Sequence, residues 1–100
     1  MTPFELIAQA TQTIAADPAD ASAYKQRALT LCQMQQYDDA LADLDTLIDT
    51  LHTDDADIYQ LRGTLRMNRG DKNGALADLR HALDLNPDLL HQLSGQFKTK

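Results

Sequence analysis

Ala40-Leu41-Ala42-Asp43-Leu44 recurs unchanged as Ala75-Leu76-Ala77-Asp78-Leu79, 35 positions later. At the same offset Tyr24 meets Tyr59, Arg27 meets Arg62 and Asp49 meets Asp84. Ala, Leu and Asp are common in this chain, so the pentapeptide alone could be a compositional accident; several matches sharing one offset could hardly be. A fixed period of 20–50 residues means stacked supersecondary units. Such units offer a surface more often than a reaction centre.

One hundred residues suffice for one small domain with a modest core. Val is absent and Ile appears four times, so straight-chain apolar residues outnumber β-branched ones and helices are favoured over strands. The expectation is an all-α domain. A net charge of −6 argues against a nucleic-acid binder, which needs a basic stripe. The charges are also segregated. Eight aspartates from Asp38 to Asp57 occur without a Lys or Arg, and Arg62, Arg66, Arg69 and Lys72 follow. That pattern admits two readings: an acidic helix neutralised by a basic neighbour, or two opposed surface patches.

The lone Cys32 has no internal disulfide partner. The first residues lack the basic start and apolar run of a signal peptide, and no stretch approaches the ~18–20 apolar residues of a membrane span. A cytoplasmic protein without membrane contact is expected.

Apolar spacing and capping residues mark out the elements. A helix over about 3–16 carries Leu6, Ile7, Ala10 and Ile14, and Asp17-Pro18 ends it. Asp20 caps a helix over about 21–34. Gln35-Gln36 is a weak break with no glycine to turn the chain. The next helix, about 37–51, buries Ala40, Leu41, Leu44, Leu47, Ile48 and Leu51, with Asp38 and Asp39 in its first turn. Asp54 or Asp55 caps a helix running to about Arg69. Gly70-Asp71 then forms a C-cap and N-cap pair, and a helix over about 72–85 closes at Asn86-Pro87. Leu89, Leu90, Leu93 and Phe97 form a final apolar stripe.

These residues resemble the tetratricopeptide repeat, a 34-residue helix-turn-helix unit with a Trp, Leu-Gly, Tyr, Ala, Phe, Pro signature. In the second unit Tyr59 stands for the large aromatic and Gly63 for the small residue. Gly70-Asp71 makes the turn, Ala75 and Ala82 the close contacts, Leu79 fills the aromatic slot, and Pro87 closes the unit. In the first unit Tyr24, Ala28, Tyr37, Ala40 and Leu44 fit, but His52 replaces the closing proline and the connection is one residue longer than the family's. The resemblance covers about 21–87 firmly. It implies a single domain, residues 1–100, forming a right-handed solenoid. Two full units, about 21–55 and 56–87, would be flanked by an N-terminal helix over about 3–16 and a C-terminal capping helix over about 88–97.

Arg27 and Arg62 depart from the signature leucine. With the paired helices antiparallel, Arg27 should meet Asp43 and Arg62 should meet Asp78, each pair adding at most about 1 kcal/mol. Arg66 occupies a slot usually apolar, and a carboxylate of the acidic preceding helix is its expected partner.

No catalytic constellation is evident, and no enzyme, cofactor or metal site is expected. His52, His81 and His91 lack metal-ligand spacing, and Asp78 with His81 reads as an i, i+3 surface pair. Cys32, beside Leu29 and Leu31, reads as a small packing residue. The family's geometry implies a concave wall built from the first helix of each unit. Ser22, Lys25, Gln26, Leu29, Cys32 and Gln33 would come from one, and Asp57, Gln60, Leu61, Thr64, Met67 and Asn68 from the other. Leu29, Leu61 and Met67 suit apolar contact; Gln33, Gln60 and Asn68 can hydrogen-bond a backbone. The implied ligand is a protein, offered as an extended peptide or a helix. Capture of a peptide's terminal carboxylate is disfavoured, because only Lys25 of the basic residues falls on this wall. The alternative is a self-associating unit, such as a homodimer, whose terminal helices complete a short solenoid.

Overall fold

The computed structural model describes residues 1–91. Within them the chain is all-helical: α1 (Pro3–Ala16), α2 (Ala21–Gln33), α3 (Tyr37–Asp45) continuing into a π-helical segment (Thr46–Thr50), α4 (Ala56–Asn68) and α5 (Lys72–Leu85). A further helical stretch begins at residue 89; the rest of the expected C-terminal capping helix, with Leu93 and Phe97, lies outside the described residues. The fold divides into two compact bodies, Met1–Thr53 and Asp54 onward.

In the first body α1 and α3 both pack against α2. Helix α1 starts at a capping box: Glu5 N donates to Thr2 Oγ1 (3.1 Å) and Thr2 N donates to Glu5 Oε1 (2.9 Å). Asp20 caps α2, accepting from Ala23 N. Ala10, Ala23, Ala28, Leu31, Ala40, Leu44, Leu47 and Ile48 are buried, while Leu41 and Leu51, expected among them, are half-buried.

The break at Gln35-Gln36 is sharper than its residues suggest. Gln36 N donates to Leu31 O (2.8 Å) and Gln35 N to Cys32 O (3.0 Å), the paired bonds of a Schellman ending, with Gln35 at φ 62°. The second body repeats this one period later: Asp71 N donates to Arg66 O (2.9 Å), Gly70 N to Met67 O (3.0 Å), and Gly70 has φ 87°. Gln35 therefore does the work of Gly70 while carrying a Cβ that the left-handed region disfavours. Gln35→Gly should stabilise the protein by about 1 kcal/mol, read as a higher urea midpoint at unchanged slope. No shift, or a lower midpoint, would contradict this reading of the turn.

The helix expected over about 37–51 changes character at Thr46. Leu51 N donates to Thr46 O (3.0 Å), a five-residue span in place of the α-helical four. The chain then leaves through His52, φ 54°, with Thr53 N on Leu47 O (3.0 Å). Thr46, Ile48 and Thr50 are β-branched and resist regular helix packing, and Thr46 Oγ1 bonds back to Ala42 O (3.1 Å). Their counterparts one period later, His81, Leu83 and Leu85, stay α-helical, and Asn86 N donates to Ala82 O.

In the second body α4 packs against α5. Of the two candidate caps, Asp55 takes the N-cap of α4, accepting from Asp57 N, and Asp71 caps α5, accepting from Gly74 N. Gly63 lies at a close approach of these helices. A Cβ there would lie 3.1 Å from Leu79 Cγ and 3.2 Å from Ala75 O. Ala28 occupies the same position in the first body and is fully buried.

Candidate functional site

Helical periodicity places Ser22, Lys25, Gln26, Leu29, Cys32 and Gln33 on one stripe of α2, and Asp57, Gln60, Leu61, Thr64, Met67 and Asn68 on the corresponding stripe of α4. The opposite faces of these helices are committed to packing through Ala23, Ala28 and Leu31, and through Ile58, Gly63 and Leu65. On the α2 stripe Ser22, Gln26, Leu29 and Gln33 are exposed, and Lys25 and Cys32 half-buried. On the α4 stripe Asp57, Thr64, Met67 and Asn68 are exposed, and Gln60 and Leu61 half-buried. Leu29 and Met67 stand out as large apolar side chains at 44% and 41% exposure. Thr64 Oγ1 is turned back to its own helix, on Gln60 O (3.0 Å). Burial pushes the Cys32 thiol above its ordinary pKa, which lowers its thiolate fraction at neutral pH.

The Arg–Asp pairs form in both bodies. Arg27 Nε and Nη2 donate to Asp43 Oδ2 and Oδ1 at 2.8 and 2.7 Å; Arg62 Nε and Nη2 donate to Asp78 at 2.9 and 2.8 Å. Both are bidentate forks, the strong geometry for this pair. They are more buried than the sequence suggests, so removing one partner should cost more than the at most about 1 kcal/mol expected for what the pair adds. The Arg27 and Asp43 side chains are 22% and 6% exposed, and those of Arg62 and Asp78 are 9% and 4% exposed.

The surroundings of the two pairs differ. Arg27 Nη1 also donates to Thr11 Oγ1 of α1 (3.2 Å), so one guanidinium links all three helices of the first body. The Asp43 hydrogen bonds raise the Arg27 pKa above its ordinary value despite partial burial. In the second body Asp78 accepts a third bond, from Arg66 Nη1 (3.1 Å). Arg66 therefore pairs with the carboxylate on α5, and the expected partner on the acidic preceding helix is corrected. The position one period earlier is Leu31, buried; Arg66 reaches the same aspartate that anchors Arg62 because it lies one turn further along α4.

Asp78 with His81 is not a surface pair. Asp78 is buried under two arginines, while the exposed His81 stacks on Tyr59 with ring centroids 4.1 Å apart and planes at 28°. No sequence signal marks that contact, since it joins α4 to α5 through side-chain directions that only the packed pair defines.

A cleft missed by sequence reasoning opens in the first body between α1 and α3, with α2 as its floor. Its volume is about 290 Å³, and its lining combines Ile7, Leu31 and Ala42 with Thr11, Arg27, Asp39 and Asp43. Among the described residues no group of three His, Cys, Asp or Glu side chains is placed to hold a metal ion, and no helix is long and apolar enough to cross a membrane. No family model matches the chain, and no curated protein matches it.

Proposed function

We propose that the chain is a pair of tetratricopeptide-like units in a right-handed helix-turn-helix solenoid. It would serve as a cytoplasmic protein-interaction module, not an enzyme, and bind an extended peptide or partner helix along the stripes of α2 and α4. The observation that carries this reading is the exposure of Leu29 and Met67 on the first helix of each unit, beside amide side chains, while the opposite faces of both helices are packed. Large apolar side chains at a surface, flanked by hydrogen-bonding groups, suit peptide recognition.

Three further features favour the repeat reading. The helix pairs share an Arg–Asp fork at 16-residue separation and the same Schellman turn in register. Gly63 and Ala28 stand at the close approach that the family's small position serves. The period of 35 exceeds the family's 34 by one residue, and a π turn takes up one residue more than an α turn.

The test is capture of partners by the intact chain, repeated with Leu29, Gln60 and Met67 each changed to Glu. Partners held by the native chain should be lost with the variants while helical circular dichroism is retained. Undiminished recovery would remove the groove. The alternative, self-association through the terminal helices, draws support from Phe4, which is 72% exposed on α1. A monomeric mass by light scattering across the micromolar range would exclude it.

A further inference from the structure

We propose that the cleft between α1 and α3 is a second binding site, separate from the α2–α4 stripes, and that it takes a lysine side chain presented by a partner protein. Its shape comes from the first body alone. Helices α1 and α3 each pack on α2, and the space between them, about 290 Å³, is floored by Arg27 and Leu31. Ile7, Leu31 and Ala42 supply an apolar wall suited to a methylene stem.

The charge of the lining selects the ligand's head group. Arg27 is matched by Asp43 through two short hydrogen bonds, and its other contacts, the Thr11 hydroxyl and the Tyr24 ring 5.7 Å away, are neutral. Asp39 is the second carboxylate of the lining; it is exposed, and it acts on Arg27 only through space. The lining thus carries one negative charge more than positive. The wider field has the same sign, because residues 1–53 hold eight acidic residues against Lys25 and Arg27 and so contain the whole net charge of −6. An ammonium at Asp39 on an aliphatic stem satisfies both halves of the site, whereas a carboxylate approaching Arg27 would meet Asp39 and Asp43.

The probes are three acetylated and amidated pentapeptides, Gly-Gly-X-Gly-Gly, with lysine, norleucine or glutamate at X, titrated into the full chain and followed by amide chemical shifts. The lysine peptide should give saturable shifts at Ile7, Thr11, Leu31 and Ala42. The norleucine peptide, with the same stem and no charge, should bind about two- to fivefold more weakly, the range of a solvent-exposed ion pair. Asp39→Asn should bring the lysine peptide down to the norleucine level, and Ala42→Leu should abolish the shifts by filling the cleft. Both positions are exposed, so each variant is expected to keep its circular dichroism. Absence of shifts at these four residues, equal binding of lysine and norleucine, tighter binding of glutamate, or full binding by Asp39→Asn would each overturn the site. Loss of partner capture by the Leu29 and Met67 variants leaves these titrations unaffected, so the two proposals fail separately.

Discussion

Asp78→Ala is expected to lower the stability of the protein by about 3–5 kcal/mol, the cost of stripping a buried guanidinium of its carboxylate. Asp78 holds Arg62 through both oxygens at 2.8 and 2.9 Å and Arg66 through a third bond at 3.1 Å. With Arg62 at 9% side-chain exposure, water gains little access to the charge left behind. The expected loss is not the net value of the pair, because desolvating both charges offsets much of their attraction. The control is Asp43→Ala. Arg27 reaches water more freely at 22% exposure, so a smaller loss of about 1–3 kcal/mol is expected. Urea unfolding followed by circular dichroism measures both. A loss of less than about 1 kcal/mol at Asp78 would show that the second fork is as solvated as a surface pair, and equal losses at the two sites would show that the difference in exposure has no effect.

Leu44→Ala should cost about 2–5 kcal/mol, through lost burial and the cavity it leaves. Leu44 has no solvent exposure and lies on α3 among Ala40, Leu47 and Ile48. Leu76→Ala makes the informative comparison. Leu76 belongs to the same repeated pentapeptide, yet it is 52% exposed, and its removal should change stability by no more than about 0.5 kcal/mol. A similar loss at both positions would mean that Leu76 is covered in solution.

Much of the helical layout was legible because its signals are local. Asp20, Asp55 and Asp71 announce helix starts through short side chains that reach the first free amides, and Gly70 announces an ending through its tolerance of positive φ. The Arg–Asp forks were legible for a different reason: an antiparallel helix pair with a fixed turn length brings residues 16 apart face to face. The π turn was not legible, since β-branched residues only weaken an α-helix and do not name its replacement. Gln35 gave no sign that it would enter the left-handed region, for the register of the pair imposes that conformation on whichever residue falls there.

Of the candidate surfaces, the stripes on α2 and α4 were implied by the resemblance, helical period puts each set on one face, and the exposure of Leu29 and Met67 is what remains once the opposite faces pack. The cleft was invisible in the sequence. Ile7, Thr11, Arg27 and Asp39 come from three helices, and no spacing along the chain relates them.

The repeated Ala-Leu-Ala-Asp-Leu, met first as a pattern, shows where the division lies. The sequence by itself determined that this chain repeats, that each repeat is a helix pair, and that Arg and Asp of each pair meet, because a shared offset, capping residues and turn length can all be read along the chain. Only the tertiary structure decided that Asp78 serves two arginines and Asp43 one, that Leu44 is sealed while its counterpart Leu79 is half-buried, and that Thr11 and Asp39 share a cleft. Burial and charge matching depend on which surfaces close over a residue, and identical pentapeptides meet different neighbours.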